Sequence, residues 1–278
     1  MKIFLLVFIF CTPAKIIVQA KPHPIDKTKF DNPFSNNDST KKYTLYFTID
    51  DGPLEGTPFL DTVFREEKVP ANLFLVGTHA NINRVFKGYF NQLRNDKWFE
   101  LGNHSYTHAD ERYDYYYSHP KMVLKDMRRN NDSLHFNNKL CRMPARNMWR
   151  VGDKTFNDGF SGDSTADLLK KKGYKVIGWD LEWESDSLSR PLQSPDSLFK
   201  QLNEAFKTGD SFLKGNVVLL CHDWMFTKYA YKQELQQFIE LVKASGDIQF
   251  EWLSDYPLYK KNNRSLFHKI EKIFSKTS

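Results

Sequence analysis

The stretch Tyr43–Pro53, YTLYFTIDDGP, decides how the chain is read. Apolar and polar residues alternate up to Asp50, the two-residue period of a half-buried strand. The strand stops at two adjacent aspartates followed by Gly-Pro, a combination that favours a turn. Gly56-Thr57-Pro58 then starts a helix, since Thr57 suits the cap and Pro58 the first turn. Phe59, Leu60, Val63 and Phe64 continue at helical spacing. A strand, a turn bearing carboxylates and a helix make one α/β unit.

The unit recurs along the chain. Further strands are expected at 71–77 (ANLFLVG), 99–105, 140–145, 174–183, 216–223 and 248–255. Helices are expected at 82–98, 120–134, 165–172, 197–206 and 233–244. Such alternation implies a parallel sheet or barrel. Periodicity does not separate a closed barrel from an open doubly wound sheet. In either, chemistry gathers at the carboxyl ends of the strands. The polar residues there are Asp50, Asp51, His104, His108, Arg142, the acids between Trp179 and Glu184, and His222 with Asp223.

Composition narrows the class. Of 278 residues, 40% are hydrophobic and 15% aromatic, which supports a sizeable core and excludes wholesale disorder. Residues 1–20 read as a signal peptide: Lys2, an apolar run from Ile3 to Phe10, and small residues at Val18 and Ala20 before the cut. A second cut is open after Ala14, and lipid attachment at Cys11 is the weaker alternative. The run is too short to span a bilayer, and no later segment could do so. The protein is therefore expected to be exported, periplasmic or secreted. Residues 21–42 read as a polar linker or arm, and 43–278 as one folded domain. Loss of Lys2 and Lys15 with the leader lowers the net charge from +6 to +4. That mild basicity suits an anionic wall polymer. Without a basic stripe, nucleic acid is excluded as a partner. The two cysteines of the mature chain, Cys141 and Cys221, sit in apolar runs and read equally well as buried free thiols or as a disulfide.

His104 and His108 stand four apart in NHSYTH, so a helical turn there would aim both imidazoles one way. Two histidines and a carboxylate form a ligand set for a catalytic divalent metal. Alone, the pair reads as well as two surface histidines in a turn. The aspartate pair reads either as an Asx turn or as two carboxylates with separate tasks. In the second case one binds a metal and the other accepts a proton, with the cation relieving their repulsion. His222, ending an apolar strand, is a strand terminus or a general acid. Arg142 is an exposed charge or a clamp on the free aspartate. Trp179 and Trp183 are core or a sugar-facing wall.

Taken in order, these residues resemble the polysaccharide deacetylase family, the NodB-homology domain or carbohydrate esterase family 4. Its five motifs appear as TIDDG (48–52), HSYTH (104–108), RMP (142–144), WDLEW (179–183) and LCH (220–222). The resemblance spans roughly residues 43–256. It implies a distorted (β/α) barrel of about seven parallel strands. It implies a hydrolase that removes N-acetyl groups from a glycan of the N-acetylglucosamine type and releases acetate. By the same resemblance Asp50 is the base, and Asp51, His104 and His108 hold the metal, most readily Zn²⁺ with Co²⁺ or Ni²⁺ as substitutes. Arg142 would hold Asp50, the Ala145 N–H would bind the oxyanion, and His222 would be the acid. An acid of the fourth motif would orient His222, with Asp180 preferred to Glu182. The alternatives are an esterase of O-acetylated xylan-type polysaccharide and a non-catalytic glycan-binding member of the same fold.

Three departures stand out. Ile49 replaces a phenylalanine, the fourth motif is compressed, and ARNMWR (145–150) replaces the aromatic-glycine that follows R-x-P. The added Arg146 and Arg150 are expected to alter substrate preference. Tyr113, Tyr115, Tyr116, Tyr117 and Trp149 are candidate stacking residues. Oligomeric state is not legible.

Overall fold

The computed structural model describes residues 41–259. The leader, nearly all of the polar arm and the last 19 residues lie outside the described residues.

The elements run β1 (Tyr43–Asp50), α1 (Thr57–Glu67), β2 (Ala71–Leu75), α2 (Gly77–Asn81), α3 (Arg84–Asn95) and β3 (Phe99–Asn103). They continue with α4 (Tyr113–Tyr117), α5 (Pro120–Leu134), β4 (Leu140–Cys141), β5 (Trp149–Val151), β6 (Lys154–Phe156), α6 (Asp163–Lys171) and β7 (Lys175–Val176). β8 (Leu181–Glu182), α7 (Pro195–Thr208), β9 (Asn216–His222), α8 (Tyr229–Ala244) and β10 (Ile248–Phe250) complete the chain. The curled sheet has the order β6-β5-β7-β4-β3-β2-β1-β9-β8, with β10 also paired to β1. All pairs are parallel except those of β5 with β6 and β7. This is a distorted (β/α) barrel.

Alternation in β1 sorts its side chains. Leu45, Phe47 and Ile49 join a core with Leu60, Phe64, Leu202 and Phe238 of the outer helices. Tyr46 joins an inner cluster with Phe74, Trp149, Ile177 and Val218. A period of two then puts Thr48 and Asp50 on the same face as Tyr46. β9 runs beside β1 in register, so Asp50 is paired with His222. The helices cover the outer core, and the polar ends of β1 and β9 close one mouth of the barrel.

Three expectations need correction. The expected helix 82–98 is the shorter α3, Arg84–Asn95, which starts where Asn83 caps it by accepting from the Phe86 N–H, and an unexpected short helix, α2, precedes it. A hairpin, β5–β6, follows β4 where the sequence offered no strand signal. The expected strand 174–183 is two strands of two residues each, on opposite flanks of the sheet. β7 pairs with β4 and β5, whereas β8 pairs with β9. Residues 177–180 cross the gap, bonded by the Ile177 N–H to Cys141 O on one flank and by the Asp180 N–H to Val218 O on the other. Here the carbonyls of Ile177 and Gly178 turn to the buried Arg142 guanidinium, so no ladder forms. Both Cys141 and Cys221 are buried free thiols. Among the described residues no helix is long and apolar enough to cross a membrane.

Candidate active site

Asp50 ends β1 inside the barrel, 3% exposed. Its Oδ1 accepts from Arg142 Nη1 at 2.9 Å. Arg142 is fully buried and also donates to Thr48 Oγ1, Ile177 O and Gly178 O. Burial pulls the guanidinium below its usual range, and Asp50 works in the opposite direction. Phe74 lies under the same guanidinium at 4.5 Å.

Asp51 begins the turn with a φ of 71°, a left-handed conformation that aspartate tolerates. It therefore leaves the strand direction, and its carboxylate meets two imidazoles. Oδ1 stands 3.5 Å from His104 Nε2 and 3.1 Å from His108 Nε2. Oδ2 accepts from the Trp224 indole at 2.9 Å. The Asp51 carbonyl accepts from His79 Nδ1. Burial pushes the Asp51 carboxyl up, but the two histidines outweigh it and hold it well below the usual carboxylate range. Burial likewise opposes charge on His108, yet Asp51 and Glu111 keep its imidazole above the ordinary value.

The two histidines do not converge by a helical turn. Ser105 has a φ of 64°, and the Tyr106 and Thr107 N–H groups both donate to the Asp126 carboxylate. His108 opens four consecutive residues of positive φ (52°, 62°, 47° and 59°), a left-handed turn costly for L-residues. The imidazoles are nonetheless aimed. His104 Nδ1 donates to Arg142 O, which leaves Nε2 facing Asp51. His108 Nδ1 lies 3.5 Å from Glu111 Oε1, which leaves its Nε2 facing the same oxygen. Such outer partners fix tautomer and ring plane in histidine-metal centres.

The three residues fit a divalent cation. Asp51, His104 and His108 each offer a ligand atom within 4.8 Å of the others. Asp51 Oδ1 is buried with no hydrogen-bond partner among the described residues, an arrangement costly for a carboxylate unless a cation or proton occupies the space.

The sequence profile of polysaccharide deacetylases matches residues 37–177. The chain belongs to the polysaccharide deacetylase family. The match ends at Ile177, so Glu182 and His222 lie beyond it. A sequence search of curated proteins finds no match. Solved structures share the fold. A Streptococcus mutans CE4 esterase is 20% identical with a TM-score of 0.57, covering 76% of this chain and 87% of its own. The peptidoglycan deacetylase PdaC of Bacillus subtilis, as a mutant, is 18% identical at 0.55, covering 84% and 98%. The Xyl-CE4 domain of a multidomain xylanase from the hindgut metagenome of Trinervitermes trinervoides is 22% identical at 0.55, covering 80% and 92%.

In this polysaccharide deacetylase fold the remaining sequence candidates divide. Ala145 has a φ of 53° in the loop after β4, and its N–H donates to no group among the described residues. The half-buried His222 donates from its backbone N–H to Met225 Sδ at 3.4 Å, and its ring stacks on Trp224 with centroids 4.9 Å apart. Asp180 is not its partner. Its two oxygens accept from the Phe212 and Val218 N–H groups, and burial pushes its carboxyl up to about 6. The acid that feels the charge of His222 is Glu182, raised by burial and drawn back by that imidazole. The seam explains the difference: the chain bends into β9 at Asp180, and only Glu182 is paired in β8.

Arg150 ion-pairs with Asp167 at 2.6 Å, 3% exposed, and Arg146 anchors Ser161 from a buried position. Arg150 is thus tied into the scaffold, whereas Arg146 also borders a hollow beside Tyr113. Tyr116, Tyr117, Trp149 and Trp183 are buried packing. Tyr113 does border the site, 5.9 Å from the His108 ring. A hollow of about 440 Å³ beside it is lined by Tyr115, Arg146 and the exposed Phe160, among others.

Sequence reasoning gave no role to three residues of the site. Asp223 is fully buried and accepts from the Leu54 and Gly56 N–H groups and the Thr57 hydroxyl, so it clamps the β1–α1 loop. Burial pushes its carboxyl up to about 7. Its place directly after His222 was the available signal. His79 and Trp224 carried no signal beyond lying just after strand ends.

Proposed function

We propose that this polysaccharide deacetylase hydrolyses the N-acetyl group of an N-acetylglucosamine-type glycan in a metal-dependent reaction and releases acetate. The observation that carries the proposal is the unpartnered Asp51 Oδ1 facing two imidazole nitrogens, with the second aspartate held beside it by a buried arginine. A divalent cation on Asp51, His104 and His108, zinc most readily, supplies the Lewis acidity that lowers the pKa of water and polarises an acetyl carbonyl.

The chain's own groups divide the remaining work. Arg142 occupies Asp50 Oδ1, so Oδ2, which is 3.5 Å from His104 Nε2, is left to accept the proton of the attacking water. The Ala145 N–H donates to the carbonyl oxygen as negative charge builds there, a contribution of roughly 3–4 kcal/mol from one well-placed donor. His222 gives its proton to the departing nitrogen, and Glu182 supports the charge on the imidazole. An amide needs that acid more than an ester, because an amine anion is a worse leaving group than an alkoxide. Tyr113, Tyr115 and Phe160 flank the site as a stacking surface for sugar rings. With a leader over residues 1–20, the protein acts outside the cytoplasm on an exported or extracellular glycan.

Structural neighbours at similar likeness come from a peptidoglycan deacetylase and a xylanase, so the test spans both ester and amide. Chelated protein is assayed for acetate release from N-acetylated chitin and peptidoglycan oligomers and from O-acetylated xylan, with and without added zinc. Zinc-dependent release from the amide substrates is expected. Release only from xylan reassigns the enzyme as an esterase, and no release from any substrate rejects catalysis.

A further inference from the structure

The reaction described above leaves Trp224 idle, although it touches two separate parts of the site. Its indole N–H donates to Asp51 Oδ2 at 2.9 Å. Its ring stacks on the His222 imidazole with centroids 4.9 Å apart and planes 23° from parallel. We propose that Trp224 is a positioning residue that sets the orientation of the Asp51 carboxylate and the ring plane of His222 together. The inference rests on the metal-dependent reading given above.

A carboxylate at the end of a short side chain turns about one bond, and its two oxygens are chemically equivalent until something distinguishes them. The Asp51 backbone is already fixed, by its left-handed φ and by the His79 hydrogen bond to its carbonyl. The side chain needs a further restraint. An indole N–H is a donor only, so it fastens Oδ2 and leaves Oδ1 as the atom presented to His104 and His108. The His222 ring is held by the stacked indole across its face, while its backbone N–H donates to Met225 Sδ. An imidazole that gains positive charge is also favoured against an indole face. The 3₁₀ turn Asp223–Phe226 makes this double contact possible. It returns Trp224 over His222 two residues after the strand ends, while buried Asp223 pins the turn to the β1–α1 loop that carries Asp51.

The test compares Trp224→Phe, which keeps an aromatic face and removes the N–H, with Trp224→Leu, which removes both. Zinc affinity is measured on chelated full-length protein by competition with a chromophoric chelator, and cobalt-loaded protein is examined by visible absorption. Both variants are expected to bind zinc roughly 10–100-fold more weakly, the effect typical of losing an outer partner of a metal ligand. Both should show a changed cobalt spectrum. At saturating zinc, Trp224→Phe should retain more amide turnover than Trp224→Leu, because the ring still backs His222. Zinc affinity within about 2-fold of wild type in Trp224→Phe, well short of the usual loss, together with an unchanged cobalt spectrum, would overturn the proposal. A wild-type protein that binds no zinc overturns the metal reading itself, and that result is visible before any variant is made. A further measurement needs no substitution. In ¹⁵N-tryptophan-labelled wild type, zinc should move an indole N–H resonance, and a spectrum in which none moves contradicts the inference.

Discussion

Replacing Arg142 with lysine tests how one buried cation serves both the fold and the site. The guanidinium uses three nitrogens at once: Nη1 on Asp50 and Thr48, Nε on Ile177 O, and Nη2 on Gly178 O. A single ammonium cannot stand at three positions. It keeps the aspartate, the strongest electrostatic partner, and abandons the two carbonyls of the barrel-closing stretch. Each buried acceptor stripped of its donor costs about 1–3 kcal/mol, so the pair predicts a loss of about 2–6 kcal/mol. A middle value of about 4 kcal/mol lowers Tm by roughly 8–16 °C in a domain of this size. The chain should still fold, because the ion pair survives and Asp50 is not left as an uncompensated buried charge. Urea titration followed by circular dichroism gives the free energy. Hydrogen exchange gives the location, which should be residues 177–180. Turnover should fall roughly 100-fold, as expected when a reacting group is misplaced by about 1 Å. A variant within about 1 kcal/mol of wild type, below the cost of even two unpaired carbonyls, would show that Arg142 does not tie the closing stretch to the site.

Three further outcomes are expected. His104→Ala should lose bound zinc by elemental analysis, and unaltered stoichiometry would exclude it as a ligand. Asp50→Asn should keep the metal while kcat drops about 10²–10⁴-fold, the usual contribution of a positioned base; normal turnover would contradict that role. Asp180 has a folded-state pKa of about 6, above its unfolded value. Its stabilising contribution is therefore complete below about pH 4 and disappears as pH rises towards 6. The unfolding free energy of Asp180→Asn should gain on wild type by up to about 3 kcal/mol across that interval. A constant offset from the lost hydrogen bond does not affect this change. A pH-independent difference in urea denaturation would refute it.

The strand ends were legible because alternation is strict in β1 and burial is continuous in β9. Those patterns fix which residues emerge at the mouth of the barrel, so Asp50, Asp51 and His222 could be singled out. The seam was not legible, because YKVIGWDLEW has the composition of a strand throughout. Its interruption depends on a guanidinium contributed from Arg142, 35 residues from Ile177. The same concealment misdirected the choice between Asp180 and Glu182: parity along a strand treats them alike, whereas the bend at Asp180 does not. His104 and His108 met at one oxygen, but a loop tied to Asp126 brings them there. Four-residue spacing carries that information only if a helix is assumed. Trp224 was hidden because an indole's second contact, on a residue 173 positions away, leaves no local trace.

The seam also bears on how such a molecule can diversify. Elsewhere around the wall, adding a residue to a strand slips the pairing and turns every later side chain to the opposite face. Residues 177–180 carry no ladder, so a longer link there would widen the mouth while each flank kept its register. The length of that link is thus a dial for the girth of the substrate cleft, limited by the reach of one arginine.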